Sequence, residues 1–281
     1  MDTKTNNRVL GLIAGSGRLP YMVAEGAHKA GLRVICVGLV GNAEPGLATV
    51  ADQYYTVSLA RIGSWIRKLR HHGVSSTIMV GRVSKAKLHS PRLIMRYLPD
   101  WRALRIYYWR LRSKGIQTDL FLSALADELD SGGIHLENST MYCQDHLADQ
   151  GMMTQCPLSG FVQADIEYGW DIAKKLGEFD IGQAVIVREK EIVAVEAIEG
   201  TAEMIKRAGK YCRAGNWTLI KTAKPNQDMR FDVPCVGPDT IQGVADNGGK
   251  CIVIEAGKTI LIDKPDTLTL ANKLGIAIIG C

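Results

Sequence analysis

No stretch of this sequence approaches the ~18–20 consecutive apolar residues that a membrane-spanning helix requires. Its opening residues, MDTKTNNRVLGLIAG, lack the long apolar core and small-residue cleavage site of a secretory signal, so the chain reads as cytosolic. The seven cysteines (Cys36, Cys143, Cys156, Cys212, Cys235, Cys251, Cys281) contain no C-x-x-C pair and no zinc-ligand spacing. They are read as small buried hydrophobes, neither a disulfide framework nor a metal centre. The six histidines are scattered with no H-E-x-x-H, which argues against a histidine-built metal site. No Ser–His or Cys–His nucleophile constellation is visible either.

What is present is a globular composition: 281 residues, 46% hydrophobic and 22% charged, enough for two domains or one large α/β domain. The net charge of +5 hides an asymmetry. Between Arg61 and Lys114 fourteen Lys and Arg stand against Asp100 alone, a net +13 that leaves −8 to the rest of the chain. A charge this one-sided calls for an anionic partner or must tolerate its own repulsion.

Short apolar runs at Arg8–Gly15, Arg33–Gly38, Gln53–Val57 and Ser76–Val80 alternate with helical patterns at Tyr21–Ala30 and Ile62–His72. That alternation predicts a right-handed, mostly parallel α/β sheet. Trp101, Leu104, Tyr108 and Leu111 share one helix face, and Gln117–Leu129 forms another helical stretch. Met141–Gly160 has little periodicity and reads as a linker. Beyond it come a helix at Asp165–Leu176 and two strands, Ala184–Arg188 and Ile192–Ala197, joined at Glu189-Lys190-Glu191 as a hairpin. Further strands are expected at Trp217–Thr222, Cys251–Ile254, Thr259–Ile262 and Ile276–Ile279, so the second half mixes parallel with antiparallel pairing. Its other helices are expected at Ala202–Ala208, Asp239–Asn247 and Pro265–Leu274.

Three patches carry candidate chemistry. Gly15-Ser16-Gly17 ends the first strand and opens a helix, where backbone N–H groups and the helix dipole favour a phosphate. Pro20 stands where the dinucleotide fingerprint needs its third glycine, so an ordinary tight turn remains the competing reading. Gly81, ending the Ser76–Val80 strand, lies on the same carboxyl edge and is expected to share its cleft. The richest patch is Lys224–Pro234 (KPNQDMRFDVP), where Asp228 and Asp232 sit with Lys224, Gln227 and Arg230 in a loop pinned by prolines. Hard oxygen donors beside phosphate-pairing cations suit Mg²⁺-assisted phosphoryl transfer; a polar surface loop of structural ion pairs is the alternative. Glu196 and Glu199-Gly200-Thr201 follow an apolar strand. They set an acid and a hydroxyl at its end, or leave Thr201 as the cap of the next helix.

The basic stretch around Trp101, Tyr107, Tyr108 and Trp109 allows a solvated helix face, a nucleic-acid surface or a peripheral membrane surface. The membrane reading is preferred because the aromatics share a face with leucines. On it, Trp101, Leu104, Tyr108 and Leu111 bury at the interface while Arg102, Arg105, Arg110 and Arg112 meet anionic headgroups.

Together LGLIAGSGRLP, Asp180–Gln183 (DIGQ), IVAVEAIEGTAEMIKRAG, KPNQDMRFDVPCVGPDTI and IEAGKTILID resemble one family. It is the metal-dependent UDP-2,3-diacylglucosamine pyrophosphatases of lipid A synthesis, unrelated to the calcineurin-like enzymes. The resemblance implies an N-terminal Rossmann-like parallel-sheet domain (1–145) and a distinct mixed α/β catalytic domain (146–281). It implies hydrolysis of UDP-2,3-diacylglucosamine to UMP and 2,3-diacylglucosamine 1-phosphate (lipid X), with Mg²⁺ or Mn²⁺ as cofactor. Asp232, in the R-x-D-x-P run, is the implied essential aspartate and metal ligand; Asp228 is the second catalytic candidate. Gly15, Ser16, Gly17, Gly81, Glu199, Thr201, Lys224, Gln227 and Arg230 are the expected substrate contacts. The expected partners are the lipid substrate and the cytoplasmic membrane surface, with a homodimer open and no nucleic acid. A non-catalytic basic module that binds nucleic acid is the alternative.

Overall fold

The structure, a computed structural model, describes residues 8–83, 98–106, 108, 118–158, 160–225 and 227–281. The chain divides into two compact units, residues 1–143 and 144–281.

The first unit is built on five parallel strands: β1 (Val9–Ala14), β2 (Arg33–Leu39), β3 (Gln53–Val57), β4 (Ser76–Val80) and β5 (His135–Leu136). Their order is β3-β2-β1-β4-β5. Among the described residues its helices are α1 (Leu19–Lys29), α2 (Leu47–Val50), α3 (Ile62–His71), α4 (Trp101–Ile106) and α5 (Thr118–Ser131). β1 is buried along almost its whole length because it lies mid-sheet, which is why it reads as an uninterrupted apolar run. The chain steps outward from β1 through β2 to β3, then returns to β4 on the other side of β1. The β1/β4 boundary is therefore the switch point, where open parallel sheets take ligands at their carboxyl ends.

The second unit is a six-stranded mixed sheet, ordered β6-β13-β11-β9-β7-β8. Its strands are β6 (Gly151–Met152), β7 (Ala184–Arg188), β8 (Glu191–Val195), β9 (Trp217–Lys221), β11 (Gly249–Ile254) and β13 (Ala277–Gly280). A two-stranded ribbon, β10 (Cys235–Val236) with β12 (Ile260–Leu261), stands beside it in the sequence. β9, β11 and β13 run parallel, whereas β7 is antiparallel to both β8 and β9. Glu189 and Lys190, both with positive φ, make the two-residue turn between β7 and β8, a geometry that matches the twist of a hairpin. The buried carboxylate of Asp165 accepts the Lys190 N–H at 2.8 Å and holds that turn.

Strand alternation sends Trp217, Leu219, Ile252 and Ile254 to a core with Met204, Ile205, Ile241 and Val244. These come from α7 (Thr201–Tyr211) and α8 (Pro238–Asp246). Val185, Val187, Ile220 and Val253 pack on the opposite face against Val162 and Ala173 of α6 (Val162–Glu178). A last helix, α9 (Lys264–Leu274), precedes β13.

The segment read as a linker, Met141–Gly160, belongs from Gln144 onward to the second unit instead. Within it Ala148 is buried, Leu147 bridges to Ile260, and β6 pairs with β13 through Met152 and Ile279. Cys36, Cys143, Cys156 and Cys251 are buried, and burial pushes the Cys36 and Cys251 thiols up to about 12.

Candidate active site

The carboxyl edge of the second unit's sheet gathers most of its buried charge. Lys221 ends β9 opposite Ala184, Glu196 follows β8, and Glu255 follows β11. The chain then leaves β9 through Thr222 and Ala223 into the Lys224–Pro234 loop, so this loop is anchored on the same edge.

Within the loop the two aspartates are unlike. Both Asp228 oxygens accept from Arg230, at 3.0 and 3.1 Å to Nε and 2.7 Å to Nη2, and Oδ1 also accepts the Arg230 N–H at 3.0 Å. The Arg230 guanidinium, ahead of the opposing effect of burial, holds the Asp228 carboxyl below its ordinary value. Asp228 is thus an ionised clamp on Arg230, whose guanidinium also lies 5.6 Å from the Phe231 ring centre. Asp232 is exposed and sits at φ 59°, a left-handed backbone that aspartate tolerates better than most residues. Gln227 closes the loop. Its Oε1 accepts the Lys224 N–H at 3.3 Å, and its Nε2 donates to the Phe231 and Asp232 carbonyls at 3.3 and 3.1 Å. Its side chain therefore sets the path of the loop that presents Asp232. Lys224 reaches out of the loop to Asp180 at 2.6 Å.

Two buried constellations flank the loop on opposite faces of the sheet. On the α6 face Glu255 accepts from Lys174 at 2.5 Å and from the Ala223 N–H at 2.8 Å, and Lys258 pairs with its other oxygen at 2.9 Å. Burial pushes the Glu255 carboxyl up, but Lys174, Lys258 and the Ala223 N–H outweigh it and hold it low. On the α7 face the Thr201 hydroxyl donates to Glu196 at 2.5 Å and accepts from Lys221 at 2.8 Å, while Glu196 also accepts the Gln183 N–H at 3.2 Å. Thr201 is the first residue of α7. The cap position belongs to Gly200, whose φ of 82° suits glycine, and no side chain caps the helix. Glu199 is paired with Arg207 at 2.7 Å.

In the first unit Gly15, Ser16 and Gly81 meet as expected, but their backbone is stitched together. Gly15 N–H donates to Val80, Ser16 N–H to Arg82 and Arg82 N–H back to Ser16, at 2.8–3.0 Å. A Cβ on Gly15 would sit 2.7 Å from Gly81 and Arg82 backbone atoms, so glycine there serves a close chain crossing. Gly17, at φ 100°, donates to Glu44 at 3.1 Å, and Glu44 accepts from the Tyr21 hydroxyl at 3.4 Å. The donors expected to cradle a phosphate already serve this chain, and a carboxylate lies at the turn.

Trp101 and Tyr108 are 75% and 57% exposed, and Leu104 is half-buried. Arg102 and Arg105, expected to face headgroups, both pair with Glu128, which is 4% exposed. Tyr107, Trp109, Arg110, Leu111 and Arg112 lie outside the described residues. Sequence reasoning missed Lys221, Lys174 and Glu255. For Lys221 and Glu255 the available signal was a charged residue ending an otherwise apolar strand, WTLIK and CIVIE; Lys174, inside a helix, carried none.

A family model described as LpxI N-terminal domain matches residues 9–146, and one described as LpxI C-terminal domain matches residues 149–279. The chain is 29% identical over 282 residues to a protein of Caulobacter vibrioides named UDP-2,3-diacylglucosamine pyrophosphatase LpxI, covering 97% of each. Among solved structures, phosphoribosylglycinamide synthetase from Anaerococcus prevotii aligns with 65% of this chain at 14% identity and a TM-score of 0.26. The alignment spans only 32% of that protein, and the likeness is too slight to carry an argument.

Proposed function

The chain belongs to the LpxI family over both of its halves, and on that premise we propose that it hydrolyses the pyrophosphate of UDP-2,3-diacylglucosamine, releasing UMP and lipid X. The observation that carries this reading is the end-to-end alignment with a relative of that name. The Lys224–Pro234 loop supports it with the chemistry such a reaction needs. A diphosphate diester requires its negative charge offset and a water positioned for attack, here at the phosphorus next to the sugar; positioning and electrostatics dominate such transfers.

In this reading Asp232 is the catalytic aspartate, held by the Gln227 brace at the exposed tip of the loop. Asp228 acts one step away, keeping the Arg230 guanidinium in place for phosphate oxygens. Lys224 supplies a second cation once it exchanges Asp180 for substrate. Among the described residues no three His, Cys, Asp or Glu side chains gather as a metal site. Magnesium needs fewer, binding through one or two carboxylates together with substrate phosphates. Asp232, exposed on the loop, fits that role. Magnesium or manganese held there would neutralise diphosphate charge and acidify a bound water.

The glycine turn is a weaker candidate for phosphate, since Gly15, Ser16, Gly17 and Gly81 have intrachain partners or close crossings there; a ligand would have to displace Glu44. Among the described residues no helix is long and apolar enough to cross a membrane. We propose peripheral docking at the cytoplasmic membrane face through Trp101, Leu104 and Tyr108, because a diacylated substrate resides in the bilayer. The nucleic-acid alternative gains no support, and two of its cations, Arg102 and Arg105, are tied to Glu128.

Asp232→Ala tests the assignment. Its kcat should fall more than tenfold, a barrier rise above ~1.4 kcal/mol, with substrate still bound. Retention of more than a tenth of wild-type kcat would overturn the catalytic role.

A further inference from the structure

The half-buried Lys174 and the buried Lys221 are not equally satisfied. Lys174 donates to Glu255 and to the Ala223 carbonyl, at 2.5 and 3.2 Å, and lies 5.7 Å from the Trp170 ring centre. Its carboxylate is shared with Lys258 and a backbone N–H, so this cluster is closed. Lys221 is only 6% exposed, yet among the described residues its ammonium has a single hydrogen-bond partner, the neutral Thr201 hydroxyl. An ammonium offers three donors, and a buried cation left short of acceptors is costly. Among the described residues the partners of Glu196 are Thr201 and Gln183, not the ammonium.

The helix start beside it also lacks a side-chain partner. Helix α7, eleven residues long, begins at Thr201 with no side-chain cap, so its first-turn N–H groups and positive dipole end open beside the ammonium. An incompletely paired buried cation and an uncapped helix start both call for an anion with several acceptor oxygens.

We propose that Lys221 and Thr201 form a binding site for a phosphoryl group in the second unit, and that Glu196 is its positioning residue. Glu196 acts through Thr201. A carboxylate can only accept, so it fixes the hydroxyl proton toward itself and turns the oxygen lone pairs toward Lys221. The lysine is thereby held with two N–H groups left for ligand. This deepens the proposed function, on which it rests, by assigning one substrate phosphate to the α7 face of the sheet.

Isothermal titration of the full chain with inorganic pyrophosphate, in EDTA, tests it without catalysis. Lys221→Met should bind at least tenfold more weakly than wild type while its thermal unfolding remains cooperative. If that variant does not fold, the Thr201 pair decides: Thr201→Val should lose the affinity and Thr201→Ser should keep it. Glu196→Gln, which retains an acceptor for the hydroxyl, should stay within threefold of wild type, whereas Glu196→Ala should match Thr201→Val. Unchanged pyrophosphate affinity in Lys221→Met or Thr201→Val, or no binding by wild type, overturns the site. Equal binding by Glu196→Ala and wild type overturns the positioning role. A site that passes in a protein that leaves UDP-2,3-diacylglucosamine intact would survive while the proposed function failed; active enzyme with Lys221→Met affinity unchanged would be the reverse.

Discussion

Asp228 and Asp232 stand four residues apart and carry the same charge, yet their surroundings divide the work between them. Asp228 is held below its ordinary carboxylate value, first by Arg230, so its ionised form is favoured by folding. Its contribution is therefore present above the unfolded value, ~3.9, and is lost as pH falls through the lower folded value. Arg230→Met removes the cause. The variant should be less stable than wild type at neutral pH, with the two converging as pH falls through the lowered folded value; this is checked by urea unfolding from neutral to acid pH. A stability gap that is the same at all pH values would mean that the guanidinium acts through packing alone. The residue types and their clustering in this loop were legible in the sequence. The pairings were not, because a loop has no period that says which of its acids meets the arginine. Gln227 shows the same limit: its amide reads as a ligand until the path of the chain puts two backbone carbonyls beside it.

At the scale of elements the long, periodic segments were readable. β3, β4 and β7 have the expected bounds, and the hairpin falls at Glu189-Lys190, with Glu191, expected in the turn, opening β8. The two-residue strands β5, β6 and β10 were not readable, since each is defined by its partner strand and carries no pattern of its own. The 141–160 stretch misled for the same reason: Ala148 N–H donates to Thr259 and Met153 N–H to Ile278, contacts more than a hundred residues away in sequence. Helix α6 has its own constraint at Gly169. A Cβ there would stand 2.5 Å from Ile220 Cδ1 and 2.6 Å from Val187 Cγ2, so glycine lets the helix lie close on the sheet. Gly169→Ala gains ~1 kcal/mol of helix propensity but overpacks a tight contact, which typically costs ~1–3 kcal/mol. The variant should melt at a lower temperature than wild type; a higher melting temperature would show that α6 can shift without loss.

For the whole molecule, the charge asymmetry remains the clearest signal of a partner, but not all of its cations are available. Replacing Arg102 and Arg105 together would leave the Glu128 carboxylate buried and unpaired, a loss of ~3–5 kcal/mol where one partner of a buried pair is removed. Any fall in membrane binding in that variant would be confounded by unfolding. Trp101→Ser with Tyr108→Ser is the cleaner test, since both side chains are exposed. Cosedimentation with anionic liposomes should drop severalfold while the melting temperature stays put, and undiminished cosedimentation would rule out this face as the docking surface. The strand orders bear on another property of the whole chain. Among the described residues the two larger sheets are open, and each ends in one two-residue strand, β5 or β6, and one five-residue strand, β3 or β8. Two residues present too few backbone groups to recruit a foreign strand, whereas five can template one. β8 opens on the exposed Glu191 beside a charged turn, but β3, QYYTV, carries no charge. Aggregation during heating or overexpression would therefore nucleate at β3, at the far end of the first sheet.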